Sequence, residues 1–192
     1  MSWYCAYSRG RPVHARYHDN EHGFPSSDEK VLFERLAMEI MQAGLSWDIV
    51  LKKRKALNLA FDGFRPDKVA AYGARDIARL LRDSSIIRNR RKIEAIIENA
   101  RRVLAMRDTC GGFAGWLAAH YPRSRVAWVK LFRERFVFMG SEIVNEFLMG
   151  FSLLPGAHRK DCHVNEKIRR AIERKGRSDK ICAIMKKDKR NN

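Results

Sequence analysis

The chain has 192 residues, 45% of them hydrophobic, and carries 39 Lys and Arg against 22 Asp and Glu. A chain of this length and composition builds one domain-sized core. Its formal net charge of +17 favours a polyanionic partner such as nucleic acid over a surface that is basic only for solubility. No stretch approaches the ~18 apolar residues of a membrane span, and no secretory signal is recognised. We therefore expect a cytoplasmic protein with no membrane partner, in which the four cysteines are thiols or metal ligands.

Helical periodicity and turn residues predict the elements in chain order. Residues 1–27 are expected to be loop-like, and a helix that Ser26 and Glu29 begin as a capping box is expected to run to about Ala43. Later helices are expected in five segments: through Val69 and Tyr72, from Ala74 to Asp83, from Arg91 to about Arg107, after Gly111 and Gly112, and from Glu142 to Leu153 with Ser141 as its cap. Because no segment has the alternating pattern of a strand, the predicted fold class is all-α.

Cysteine and histidine residues near both ends of the chain are candidate metal ligands. Cys5 and His18 lie near the N-terminus, whereas His158 and Cys162 are spaced so that they share a face of one helical turn. Two cysteines and two histidines complete a closed tetrahedral zinc site of the structural kind. Spacing alone leaves three other histidines equally available, namely His14, His22 and His163. It also leaves open that no metal binds.

An acidic residue lies on the apolar face of the first long helix. Glu39 follows Leu32 and Leu36 at helical spacing, so it shares the face that those residues bury. A buried carboxylate is costly unless it accepts hydrogen bonds or meets a positive charge. The alternative is a glutamate at the edge of that face, paired with an arginine.

The end of that helix forms a tight junction with the next. Gly44 can end the first helix and Ser46 can cap the second, so Leu45 is held between them. Proteins that distort DNA insert such an apolar side chain between base steps, and Trp47 could then cover an extruded base. The alternative is that both side chains pack in the core.

A short basic connection, residues 84–90, separates two predicted helices. A tight turn there leaves backbone N–H groups at the start of the next helix, where they can bind a phosphate. Four cationic side chains would add charge: Arg88, Arg90, Arg91 and Lys92. Many connections of this kind contact no DNA, so this feature is weak by itself.

These fragments, in this order, resemble the DNA-3-methyladenine glycosylase I family over about residues 3–162. Three blocks carry the resemblance: Tyr17 to Gly23 with Cys5 ahead of them, Glu39 to Trp47 with the following Val50 to Arg54, and Ile86 to Ile93 leading to Glu98, Asn99 and Ala100. A fainter match over residues 135–140 precedes His158 and Cys162. The resemblance implies a single helix–hairpin–helix glycosylase domain, residues 1–163, followed by a basic C-terminal extension, residues 164–192, helical at first and then frayed.

The resemblance also implies roles for individual residues. One structural zinc per chain would be held by Cys5, His18, His158 and Cys162. The base pocket would contain the catalytic Glu39 and Tyr17, with Trp47 stacking on the base and Tyr7, His14 and His22 at or near it. The DNA contacts would be made by Gln42, Gly44, Leu45, Ser85, Arg88, Arg90, Arg91 and Lys92. The implied activity is hydrolysis of the N-glycosidic bond of an alkylated purine, 3-methyladenine, in double-stranded DNA by a monomer.

Some positions depart from the family pattern. His22 stands where the family usually has Trp, and His14 where it has an aromatic residue. Ser85 and Arg91 replace glycines, which a turn with positive φ would favour. The alternatives are therefore a glycosylase with another lesion preference, a zinc-stabilised DNA-binding relative that no longer cleaves, and a protein whose basic helices bind acidic proteins.

Overall fold

A computed structural model describes residues 3–174 of the chain. Within this range every regular element is helical, which confirms the predicted all-α fold class. The helices are α1 (Tyr4–Tyr7), α2 (Pro12–Asn20), α3 (Glu29–Gln42), α4 (Trp47–Ala60), α5 (Pro66–Ala70), α6 (Ala74–Arg82), α7 (Arg90–Cys110), α8 (Phe113–His120), α9 (Arg125–Arg135) and α10 (Ser141–Gly150), with a 3₁₀ turn at Asp62–Phe64. Within the described range, no helix combines the length and the apolar character that crossing a bilayer requires.

The helices form two compact units. The terminal unit consists of the described parts of residues 1–25 and 149–192, and the central unit consists of residues 26–148. In the terminal unit, residues 165–174 are helical, so the predicted C-terminal extension begins as a helix. The rest of that predicted extension lies outside the described residues.

The helix α3 lies at the centre of the central unit. Every residue from Leu32 to Met41 is buried, because α4, α7 and α8 all pack against it. A helix buried on all sides has no solvent-facing stripe for its polar residues. One buried acid, Glu34, is satisfied by Arg54, which donates two hydrogen bonds to it at 2.9 and 3.2 Å, and by the Asn58 amide at 3.2 Å.

An aromatic cluster forms another part of the core of the central unit. The rings of Phe113 and Phe147 stack with centroids 5.6 Å apart, and Phe132 contacts Phe147 and Trp128. The last two contacts involve α9, which the sequence analysis missed. Its buried side chains, Trp128 and Phe132, make only a two-residue stripe among exposed basic residues, and this is too short for a clear periodic signal.

Three expectations about the limits of helices are wrong. Residues 1–27 were expected to be loop-like, but they contain α1 and α2, and Pro12 lies in the first turn of α2, where its missing N–H costs nothing. The N-cap of α3 is Asp28 rather than Ser26, because the Asp28 carboxylate accepts hydrogen bonds from the N–H groups of Lys30 and Val31 at 2.9 and 3.3 Å. The last helix of the central unit, α10, also ends at Gly150, short of the predicted Leu153.

The junction between α3 and α4 is formed as predicted. Gly44 has a φ of +76°, and a Cβ there would meet nothing within 4 Å, so its backbone conformation alone favours glycine. The Ser46 hydroxyl accepts a hydrogen bond from the Ile49 N–H at 3.4 Å and caps α4.

The capping geometry of α3 gives a stability prediction. Replacing Asp28 by Ala should lower the free energy of unfolding by about 1 kcal/mol, since two N–H groups lose their acceptor. Chemical denaturation measures this change. Ser26→Ala is the matched control and should cost less, since the Ser26 hydroxyl accepts from the Asp28 N–H, which lies outside the helix. A larger loss for Ser26→Ala would contradict the assignment.

Candidate active site and metal centre

Four potential metal ligands converge in the terminal unit. Cys5, His18, His158 and Cys162 offer one ligand atom each, and these atoms all lie within 4.8 Å of one another. The His158 Nδ1 lies 3.1 Å from the His18 Nε2 and 3.4 Å from the Cys162 Sγ, and the Cys5 Sγ lies 3.7 Å from the same Nδ1. Zinc bonds of ordinary length place tetrahedral ligand atoms about 3.3–3.8 Å apart. The group can therefore hold a metal ion.

The surroundings of the two histidines orient them as ligands. The His18 Nδ1 lies 2.6 Å from the Asp19 carboxylate, and the His158 Nε2 donates to the His22 carbonyl oxygen at 2.8 Å. The His18 Nε2 and the His158 Nδ1 therefore face the shared centre. Metal-binding histidines usually engage their second ring nitrogen in this way. Burial also lowers the pKa of His158, which favours the neutral imidazole that a metal needs. The Arg159 N–H donates to the Cys5 Sγ at 3.3 Å.

The structure distinguishes His158 from His163, one of the three histidines that spacing left equally available. His163 is exposed, and its Nε2 lies 3.2 Å from an Asp19 carboxylate oxygen, which is the group that also contacts His18. His163 therefore lies beside the ligand cluster and not within it.

The aromatic residues predicted near the pocket cluster around a residue that the sequence analysis missed. The ring of Tyr4 contacts four of these residues at centroid distances of 5.5–6.4 Å: Tyr7, His14, Tyr17 and His22. The Tyr4 hydroxyl also lies 3.1 Å from the His14 Nδ1. Tyr4 directly precedes Cys5, and that position was the only signal in the sequence that could have found it.

Glu39 is buried in α3 with 4% of its surface exposed. Burial, with a smaller contribution from the charge of Glu146, raises the pKa of its carboxyl group to about 8, although the charge of Arg35 partly opposes the shift. Within the described residues, no hydrogen bond contributes to the shift. Glu146 on α10 is half-buried, and burial raises its pKa as well. The sequence analysis missed Glu146, because nothing in its local pattern links it to α3.

The junction after α3 presents apolar side chains to solvent. Leu45 is 39% exposed and Ile49 is 38% exposed, whereas Trp47 is half-buried. The alternative that Leu45 simply packs in the core is therefore wrong. Gln42 and Gly44 lie beside Leu45, half-buried and exposed respectively.

The connection between α6 and α7 exposes most of its predicted DNA-binding residues. Four are exposed: Ser85, Arg88, Arg90 and Arg91. Neither Ser85 nor Arg91 has a positive φ, so replacing glycine at these positions strains nothing. Lys92 differs from the others, because it is only 5% exposed and its Nζ donates to the carbonyl oxygens of Met41 and Ala43 at 2.8 and 2.6 Å. Its ammonium group faces the protein and not the solvent in which a phosphate would lie.

Comparison with known proteins identifies relatives of this chain and of its fold. The DNA-3-methyladenine glycosylase 1 of Escherichia coli strain K12 is 50% identical over 102 residues, which span 53% of this chain and 54% of that protein. The DNA-3-methyladenine glycosylase of Haemophilus influenzae is 35% identical over 182 residues, covering 84% of this chain and 97% of that protein. A structure of the Staphylococcus aureus 3-methyladenine DNA glycosylase I superposes with a TM-score of 0.75 at 35% identity, covering 83% and 95% of the two chains.

The fold is thus that of a helical DNA glycosylase. The model of the methyladenine glycosylase family matches residues 7–166, and the chain belongs to this family.

The two rival histidines provide a test of the metal centre. His158→Ala should lose the bound metal and lower the melting temperature, whereas His163→Ala should keep both close to those of the unmodified protein. Elemental analysis of the purified proteins measures the metal content. We expect about one zinc per chain in the unmodified protein. Loss of the metal from His163→Ala alone would overturn the assignment.

The raised pKa of Glu39 predicts a pH-dependent effect on stability. The folded protein keeps this proton up to about pH 8, whereas the unfolded chain releases it near the ordinary value of 4.5. The carboxyl group therefore lowers the free energy of unfolding as the pH rises between these values, by up to about 1.4 kcal/mol per pH unit. Relative to the unmodified protein, Glu39→Gln should gain stability from pH 5 to pH 8.

The control for this experiment is a glutamate that stays in solvent. Glu134 on α9 is exposed, so Glu134→Gln should show no such gain over the same pH range in chemical denaturation. Parallel pH profiles for Glu39→Gln and Glu134→Gln would show that burial does not hold the proton on Glu39.

Proposed function

We propose that this protein is a DNA glycosylase that hydrolyses the N-glycosidic bond of alkylated purines and releases 3-methyladenine in base-excision repair. Membership of the methyladenine glycosylase family supports this activity. The observation that carries the mechanism is the carboxyl group of Glu39, which is buried in α3 shortly before the turn that holds an exposed Leu45 and a half-buried Trp47.

The chemistry of the lesion matches a buried acidic group. Methylation at N3 gives adenine in DNA a positive charge, which weakens its own glycosidic bond, so the enzyme has less activation to supply. A cation that enters beside Glu39 provides the missing counter-charge and draws the carboxyl group into its ionised form, because opposite charges favour each other strongly at low dielectric. The ionised Glu39 accepts hydrogen bonds from the base edge, and charge-assisted bonds are about twice as strong as neutral ones. Water attacks the sugar, and no covalent enzyme intermediate is needed.

Aromatic side chains hold the extruded base. Trp47 stacks on it, the family resemblance assigns Tyr17 a catalytic role, and each aromatic face attracts a cationic base by roughly 0.5–2 kcal/mol. Tyr7, His14 and His22 lie near Tyr17 around Tyr4 and influence which lesions fit. Flipping costs a few kcal/mol and costs less for a damaged base, which itself favours lesions.

The exposed residues of the central unit grip the DNA. Leu45, projecting from the Gly44 turn with Gln42 beside it, fills the gap that the base leaves, and this requires a double-stranded substrate. The connection from α6 to α7 acts as the hairpin of a helix–hairpin–helix motif. Its exposed Ser85, Arg88, Arg90 and Arg91 bind the phosphate backbone. We expect a monomer located in the cytoplasm.

Zinc is the metal that suits the donor set of the terminal unit. Two thiolates and two imidazoles form a closed tetrahedral site, and the bound ion supplies structural cross-linking between segments far apart in the chain. The residues that hold it are Cys5, His18, His158 and Cys162.

Base release from methylated DNA tests the function. The unmodified protein should release 3-methyladenine, identified by chromatography of the free bases, and Glu39→Gln and Glu39→Ala should each lower the single-turnover rate by about 100-fold. The exposed Glu134→Gln is the control and should retain the full rate. Full rates in both Glu39 variants would eliminate the role of Glu39. If the protein binds the duplex but releases no base, it is instead a DNA-binding relative that no longer cleaves.

A further inference from the structure

Two lysines join the turn that carries Leu45 to the connection that carries Ser85. We propose that Lys92 and Lys53, together the lysine clasp, are positioning residues that set the Leu45 wedge relative to the backbone-binding connection. This inference rests on the proposed function, since it assigns a role in placing the wedge within DNA. It goes beyond that function because neither lysine touches the base or the reacting atoms.

Lys92 reaches from the start of α7 to the end of α3. Its Nζ donates to the carbonyl oxygens of Met41 at 2.8 Å and Ala43 at 2.6 Å, at the end of α3 just before Gly44. These carbonyls have no partner within α3, since a helix leaves its final carbonyl groups unpaired. The backbone N–H of Lys92 also donates to the Asn89 side chain, which caps α7, at 3.1 Å. Lys92 is thus held at both ends.

Lys53 reaches in the opposite direction, from α4 to the connection. Its Nζ donates to the carbonyl oxygens of Ser84 at 3.3 Å and Ser85 at 2.8 Å. The helix α4 starts directly after the wedge, with Ser46 as its cap. Each DNA-facing loop therefore receives a lysine from the helix that follows the other loop.

This reciprocal arrangement restricts relative movement of the two loops. A wedge acts only if its tip meets the base stack while the phosphates are held, and a misplacement of about 1 Å far from the reacting atoms can lower a rate 100-fold. A simpler reading is that the lysines only terminate helices, as Arg79 does by donating to the Ala60 carbonyl at 3.0 Å at the end of α4. That reading predicts a loss of stability alone.

The test separates placement from stability and from chemistry. The variants are Lys92→Met, Lys53→Met and the double variant, with Lys52→Met as the matched control. Lys52 is exposed and pairs only with Asp48 one turn away, so its replacement removes an equal charge from the same helix. A duplex that contains a stable abasic-site analogue, with 2-aminopurine beside it, reports insertion of the wedge through fluorescence, and Leu45→Ala provides the reference for lost insertion.

We expect Lys92→Met and Lys53→Met to reduce the 2-aminopurine signal towards that of Leu45→Ala. Their single-turnover excision should fall about tenfold or more, while duplex affinity stays within about threefold of that of Lys52→Met. The double variant should be no worse than Lys92→Met, because contacts that act as one unit are not additive.

Two results would overturn the clasp. One is a full 2-aminopurine signal in both folded single variants. The other is a loss in the double variant equal to the product of the single losses. If Lys92→Met does not fold, Lys53→Met decides the question, since its contact is solvent-exposed. If the unmodified protein releases no base but its 2-aminopurine signal still depends on the clasp, the proposed function fails and the clasp stands.

Discussion

The central unit is organised by the burial of a whole helix that carries ionisable side chains. Every residue of α3 from Leu32 to Met41 is removed from water, so each charge there needs a partner or a shifted pKa. Glu34 has a bidentate arginine and an amide. Glu39 has only the partial compensation of Arg35, against the opposing charge of Glu146, and its pKa rises to about 8. Of the two buried acids of α3, Glu34 is satisfied within the protein, whereas the charge of Glu39 is left largely uncompensated.

The terminal unit meets a different constraint. It joins two segments that are far apart in the chain and contain few large aliphatic residues, and small units of this kind depend on cross-links more than on a core. Cys5 and Cys162 bring thiols, and the two histidines bring imidazoles whose outer nitrogens are already engaged by Asp19 and the His22 carbonyl. The His22 backbone therefore contacts a potential metal ligand, while its ring belongs to the aromatic cluster around Tyr4. One residue thus links the group of potential ligands to that cluster.

Much of this organisation could be predicted from the sequence, and the exceptions have physical causes. The Gly44 turn, the Ser46 cap and the burial of Glu39 follow from local rules, because conformational preference and helical spacing act within a few residues. The roles of Tyr4 and Glu146 depend on contacts between distant segments, and no local pattern encodes them. The helix α9 was missed because a stripe of two buried aromatic residues gives too little periodicity. The cap at Asp28 was missed because Ser26 and Asp28 are both good caps, and the choice between them depends on the path of the chain.

The inference drawn from the basic composition also needs correction. The excess of positive charge suggests a DNA-binding surface, yet several cations donate hydrogen bonds to carbonyl groups at the ends of helices. Arg79 donates to the last carbonyl of α4, Arg101 donates to the last carbonyl of α5, and Arg102 donates to the last carbonyl of α9. Of these three helices, none ends at a glycine with positive φ, so a cation from another helix neutralises the negative end of the dipole instead. Lys92 does the same for α3. Net charge therefore overstates the charge available to phosphates, because cations such as Arg79 and Arg101 are exposed and yet already donate to carbonyl groups at helix ends.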